Sequence, residues 1–270
     1  MSRIIVATSV PGSAAPIAKP LDQQMLEDAD LLHWFRAYEP DMVVDAATRD
    51  ILQWRDLKGS GAFLKPGTAT GMGPSKLVDG VVNGRPVSDH AANGVYQWDG
   101  GPSAVPQPNF AAAFGIVACV RVPYPGTGSG QILARFNSLS ARTLLQITGS
   151  ANAQTPGSIV AQHGSASITI PYAWGTDANI IMTSNGTELA LCVNNLWSLP
   201  TATDNGAGTS AMGIGSLYAV TLAQRYTGML SNLQFYRRYL YGDQRRVSLI
   251  QRYFQRLYAM SFTPARRPLV

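Results

Sequence analysis

Charge is scarce in this sequence. Charged residues make up 14% of its 270 positions, against roughly a quarter in ordinary soluble domains. Cysteine is scarcer still: Cys119 and Cys192 are the only two, too few for a disulfide framework. Free, buried thiols are the default for such residues. No apolar run approaches the roughly 18 residues that a membrane span requires, which argues against membrane insertion. Ile4, Ile5 and Val6 are too few for the apolar core of a secretory signal, and Pro11 and Pro16 follow closely. The expectation is a chain made in a cytosol, without an export signal.

Histidine and glutamate are rare as well. His33, His90 and His163 are scattered, with no spacing that suggests zinc. Asp28-Ala-Asp30 is the one Asp-x-Asp spacing and lies in the arm before the first strand, so neither a metal nor another cofactor is expected. A Ser-rich chain always offers a serine, a histidine and an aspartate, but no nucleophile-elbow context exists here.

What the sequence does have is turns. Its 26 glycines and 17 prolines are spread along the chain, which suits many short strands. Phe114 to Val122 alternates, with Phe114, Ile116, Ala118, Val120 and Val122 on one face. Gln131 to Phe136 and Thr143 to Thr148 are further runs, and Ile159 to Ile170 holds a pair around Gly164. Asn185-Gly186 between two apolar runs predicts a tight hairpin with φ > 0 at both positions. On its second strand Leu189, Leu191 and Val193 share a face, and Cys192 points the other way, as does Cys119. Leu230 to Tyr236 is a late strand. Asp243 then caps a helix over about 243 to 258, whose apolar stripe is Val247, Ile250, Phe254 and Leu257. Many strands followed by one helix predict an all-β, two-sheet antiparallel sandwich with a helical tail. Residues 1–28, with Pro11, Pro16 and Pro20, read as an extended N-terminal arm, 29–260 as the β domain, and 261–270 as a basic tail.

The charge is unevenly placed. Lys19 to Asp50 holds eight acids and three bases, whereas Arg237 to Arg267 holds eight arginines and the single acid Asp243. Nucleic-acid binding needs basic residues interleaved with exposed aromatics along a groove, and that pattern is missing. The helix arginines Arg245, Arg246, Arg252 and Arg256 are read instead as pairing with the acidic start or with a neighbouring subunit. In the arm, Ile4, Ile5, Val6 and Ile17 are the candidates for docking on a partner.

Three ordered segments carry a family resemblance. The first is Leu32-His-Trp-Phe-Arg-Ala37, followed by Ile51-Leu-Gln-Trp-Arg-Asp-Leu-Lys-Gly-Ser-Gly61. The second is Gly84-Arg-Pro86, then Gly94-Val-Tyr-Gln-Trp-Asp-Gly100. The third runs from Tyr226-Thr-Gly-Met-Leu through Leu233-Gln-Phe-Tyr236 and Leu240 to Tyr253-Phe-Gln-Arg-Leu-Tyr258. Together they resemble the concanavalin A-like lectin/glucanase superfamily, in the laminin-G-like form common in phage and bacterial surface proteins. The resemblance implies a jelly-roll sandwich with its terminal segments side by side, the acidic start next to the arginine-rich helix.

Hydrolases of that superfamily resemble one another in paired carboxylates on one strand, since cleavage needs an acid and a nucleophile or base about 5 to 10 Å apart. Glu27, Glu39 and Glu188 have no such partner two or four residues away within a β-run. The expectation is therefore a non-enzymatic chain. For sugar binding, an aromatic ring beside Asn or Asp suits a pyranose. Asn194, Asn195 and Trp197 form one candidate, Tyr172 and Trp174 a second, while Trp34, Trp54 and Trp98 are read as core and Asp56 and Asp99 as turn residues. The analogy implies a bacteriophage virion protein, part of head, tail or fibre. The arm would join other virion proteins or further copies of the chain, and the sandwich would meet a host-surface polysaccharide. A free carbohydrate-binding lectin or adhesin is the alternative, and a glycan hydrolase a third reading.

Overall fold

The structure is a computed structural model that describes residues 19–68, 71–91, 94–124, 131–136 (backbone only), 143–150, 152–204, 212–215 and 226–262. A short helix α1 (Leu21–Leu26) precedes β1 (Leu31–Arg36), and a 3-10 turn at Glu39–Asp41 leads into β2 (Met42–Val44). Short strands follow: β3 (Ile51–Arg55), β4 (Phe63–Pro66), β5 (Lys76–Gly80), β6 (Gly84–Asp89) and β7 (Tyr96–Asp99). The middle of the chain gives β8 (Phe114–Arg121), β9 (Gln131–Phe136), β10 (Thr143–Thr148), β11 (Gly157–His163) and β12 (Ala166–Tyr172). Next come β13 (Asp177–Ser184), β14 (Glu188–Val193), β15 (Leu196–Trp197), β16 (Thr201–Ala202) and β17 (Gly213–Ile214). A last strand β18 (Met229–Tyr236) leads to helix α2 (Gln244–Tyr258).

The strands form two sheets. The first runs β15-β14-β13-β8-β18-β6-β5, with β1 also on β18 and β16 also on β14. The second runs β12-β11-β10-β9-β17-β7-β4-β3-β2. The pairings between these strands are antiparallel. The chain is an all-β jelly-roll sandwich with a C-terminal helix.

The two sheets face each other across one core. Phe114, Ile116, Ala118, Val120 and Val122 point into it from β8, with Leu189, Leu191 and Val193 from β14 and Leu145 and Ile147 from β10. The first sheet is buried on its other face as well. There Val117, Cys119, Ile181 and Cys192 join Met25, Trp34, Val247, Ile250, Tyr253, Phe254 and Tyr258 in a second apolar layer. Strand β8 is therefore apolar almost throughout, as a strand covered on both faces must be. Each large side chain so buried contributes about 1.5–3 kcal/mol.

Helix α2 supplies the outer cover. Asp243 caps it by accepting the Arg246 amide at 3.2 Å, and Ala259 ends it in the left-handed region at φ 51°. Trp34 is fully buried and meets the Tyr253 ring edge-on at 5.1 Å. Both cysteines lie in this layer as free thiols, and burial pushes each up to about 12. One part of the expected extended arm differs: residues 21–26 are helical, and Met25 is 1% exposed. Its apolar side chain has the second layer to bury against, which outweighs the prolines before it.

Two turns exchange roles relative to expectation. Between β13 and β14 the loop has three residues, and of Asn185 and Gly186 only Gly186 has positive φ. Asn185 acts through its side chain, which accepts the Thr187 and Glu188 amides at 2.9 and 2.8 Å. The two-residue turn with both φ positive is Asn194–Asn195, at 49° and 71°, joining β14 to β15.

Candidate functional site

The asparagines expected to hold sugar are bound up in that turn. Asn194 Oδ1 accepts the Asn179 amide at 2.8 Å, and its Nδ2 donates to the Asp177 carbonyl at 3.3 Å. Asn195 is buried, and its Oδ1 accepts from Gln251 Nε2 at 2.6 Å, tying the turn to α2. Tyr172 is equally committed: it is 3% exposed, and its hydroxyl accepts the Val122 amide and donates to the Thr176 carbonyl. Trp174 sits half-buried over Gly157, where a Cβ would come within 2.1 Å of its ring. Its indole nitrogen donates to Ser150 Oγ and the Thr155 carbonyl.

Trp197 is different. It stands at the edge of the first sheet, half-buried, with its ring 5.3 Å from that of Tyr241. Tyr241 in turn lies 6.0 Å from Tyr239. Leu196, 56% exposed, pairs with Val193 and so faces the other side of the sheet from Trp197. The Tyr239 hydroxyl donates to Glu188 Oε2 at 3.5 Å, and burial together with the nearby Glu188 charge raises the Tyr239 pKa. Three rings and one carboxylate thus make a ledge. Tyr239 and Tyr241 lie beyond β18, some forty residues from Trp197, so the local sequence gave no sign of the grouping.

The turn aspartates do what their positions suggested. Asp56 accepts the Trp34 and Lys58 amides at 2.8 and 3.0 Å, Ser60 Oγ at 2.5 Å and His33 Nδ1 at 2.9 Å. Burial opposes its ionisation, yet those donors hold its pKa below the ordinary carboxylate value. Asp99 accepts the Gly101 amide at 2.8 Å and pairs with Lys65. Trp34 and Trp54 are fully buried, and Trp98 is half-buried with its indole donating to the Val105 carbonyl.

The helix arginines divide. Arg246 pairs with Asp28, Asp30 and Asp243, and Arg238 joins the same seam through Asp30 and Asp243. The acidic start therefore does lie beside α2. Arg245, Arg252 and Arg256 have no ion pair among the described residues, though Arg252 Nε donates to the Ser248 carbonyl. Ile4, Ile5, Val6 and Ile17 lie outside the described residues, as does most of the basic tail.

A groove of about 370 Å³ opens on the far flank of α2, between that helix, α1, the end of β1 and the start of β6. Arg36, Arg85 and Arg256 line it, with Tyr38, Tyr253 and Asp22. Four separate segments contribute, so no spacing in the sequence announces it.

No family model matches the chain, and no curated protein matches it. Among solved structures it is similar to Trypanosoma rangeli sialidase in complex with sialic acid, at a TM-score of 0.51 and 14% identity. That match covers 84% of this chain and 34% of the sialidase. It is also similar to a structure of botulinum neurotoxin type C, whose cell entry depends on interaction with two ganglioside molecules. Here the TM-score is 0.54 and the identity 8%, covering 82% of this chain and 51% of the toxin chain. A third is the binding domain of botulinum neurotoxin DC in complex with rat synaptotagmin II, at 0.52 and 8%, with 82% and 51% covered. The chain thus spans about a third of the sialidase and half of the toxin chains. At these identities the likeness establishes the β-sandwich fold. It also corrects the expectation of a non-enzymatic chain: sialidases are enzymes, so this is a fold that glycosidases carry.

Proposed function

We propose that the chain is a carbohydrate-binding β-sandwich module that seats its ligand on the Trp197 ledge. The observation that carries this is the ring cluster Trp197–Tyr241–Tyr239 beside Glu188. The apolar face of a pyranose stacks on a ring, and its hydroxyls donate to a carboxylate. The sialic acid complex and the ganglioside-dependent toxin, of which the likeness covers 34% and 51%, support the class of ligand. Binding to a broad glycan panel tests it. Saturable binding that Trp197→Ala and Tyr241→Ala each weaken at least tenfold, at unchanged thermal stability, is the expected result. A panel with no binding at all refutes it.

A second reading is glycosidic cleavage at the same ledge. A tyrosine nucleophile with a carboxylate to take its proton is a known arrangement for this chemistry, and Tyr239 and Glu188 are in contact. The raised Tyr239 pKa opposes it. Release of free sugar from a glycoside, lost in Tyr239→Phe, decides the matter.

The virion setting is a finer proposal and rests on the family resemblance alone. It would place the chain, made in a host cytoplasm, in a bacteriophage particle, with self-association or virion contacts through the N-terminal arm, residues 1–28. Quantitative mass spectrometry of purified particles tests it. Hundreds of copies per particle would mean a head or tail repeat, a few dozen a fibre or tip, and none would leave a free lectin.

A further inference from the structure

We infer that the groove beside α2 is a second binding site, separate from the ledge, for a uronate residue of an acidic polysaccharide. Its volume, about 370 Å³, falls within the range of roughly 300–1,000 Å³ typical of ligand clefts. The ledge lies on β15, at one end of the first sheet, whereas the groove is lined from β6, near the other end. The two sites do not share a residue.

The charge in the groove is unbalanced. Arg36 is already held, donating to Asp41 at 2.9 Å and lying 5.0 Å over the Tyr38 ring. Arg85 and Arg256 have neither an ion pair nor a side-chain hydrogen bond among the described residues. No other part of the chain holds an acid to supply. All 16 aspartates and glutamates fall within the described residues. Of these only Asp22 lines the groove, and it bonds to neither arginine. The terminal stretches 1–18 and 263–270 contain no acidic side chain. An anion from another molecule would match Arg85 and Arg256, and a guanidinium fork suits a carboxylate best.

The walls of the groove suit a ring. Tyr253 lines it and is 1% exposed, its hydroxyl buried toward Arg36 and Asn232. Leu21, Pro86 and Leu257 give the groove apolar walls, and Tyr38 presents a ring that is 40% exposed. A bare inorganic anion would leave these surfaces uncovered. A carboxylated pyranose meets the arginines and the exposed ring together.

The test is a calorimetric titration of the full chain with trigalacturonate, its neutral methyl ester, inorganic phosphate and hexaglutamate. Trigalacturonate is expected to bind, to weaken at least tenfold in Arg85→Ala/Arg256→Ala, and to weaken as salt is raised. It is expected to be unaffected by Trp197→Ala, so loss of the ledge reading leaves this one standing, and the reverse. Both arginines are exposed, and an unchanged melting temperature of the double variant is the control for folding. Equal binding of the methyl ester, of phosphate or of hexaglutamate would overturn the inference, as would full affinity in the double variant.

Discussion

The two ends of helix α2 carry the same residue type into opposite circumstances. In its first turn Arg246 meets three carboxylates and is one-fifth exposed. In its last turn Arg256 faces a groove whose one lining carboxylate, Asp22, does not pair with it. The helix sequence does not distinguish them. What separates them is where the acids of residues 22–30 come to lie once β1 pairs with β18 and α1 packs beside α2. A cluster of arginines is thus one part structural fastening and one part unspent charge.

Acid should expose the largest difference between the seam and the rest of the molecule. Burial lowers the His90 pKa to about 4, and its Nδ1 donates to the Gly94 carbonyl at 2.6 Å. The unfolded chain takes up a proton near the ordinary histidine value of 6.5 and the folded chain does not. Stability is therefore full above pH 6.5 and falls as pH drops toward 4, by about 3 kcal/mol in all. The seam answers lower down. Burial opposes ionisation of Asp28 and Asp243, but the Arg246 hydrogen bonds outweigh it and their pKa values are lowered. Their contribution is present above the ordinary carboxylate value and is lost as pH falls through their native values. Urea unfolding from pH 7 to 3 should give two limbs, the upper reduced by His90→Gln, with buried His163 supplying the remainder, and the lower reduced by Arg246→Met. A single limb that both variants shift would break the distinction.

At neutral pH the comparison becomes one of substitutions. Arg246→Ala leaves Asp28, only 9% exposed, without its ion-pair partner. Breaking a fully buried pair costs about 3–5 kcal/mol, and with Arg246 partly solvated about 2 kcal/mol is expected. Arg256→Ala should cost less than about 0.5 kcal/mol. The thiols report the same contrast without denaturant. Cys119 and Cys192 lie under α2 and should resist a thiol reagent in the native protein. Arg246→Ala should speed their labelling about tenfold by easing local opening of the helix, and Arg256→Ala should leave it alone. Equal rates in the two variants would mean that the seam does not hold the helix down.

Much of this architecture was legible where one periodicity governs. The alternation from Phe114 to Val122, the strands Gln131–Phe136 and Thr143–Thr148, and the helix stripe through Val247, Ile250 and Phe254 all reappear in the fold. Helix α1 was not legible, because six residues after a proline acquire their helix from tertiary burial of Met25 and not from their own propensity. The sites were harder still. Trp197 could be singled out as a ring near a turn, but its companions come from a loop after β18, and the groove draws on four segments. The asparagines misled for a chemical reason: the side chains that suit a sugar hydroxyl also suit a left-handed turn.

That ambiguity gives the finest test. Glycine accepts positive φ without strain, so Asn194→Gly and Asn195→Gly keep the turn and delete only the side-chain bonds. Each should cost about 1 kcal/mol, the typical net value of one hydrogen bond, with Asn195→Gly also freeing Gln251 from its anchor. Glycan affinity at the ledge should stay within about twofold in both, measured on the ligand that Trp197→Ala weakens. A tenfold loss in either, at unchanged fold, would return the asparagine to the binding surface. The turn would then serve both structure and recognition, and the ledge would extend from the rings of Tyr239 and Tyr241 to the tip of the β14–β15 hairpin.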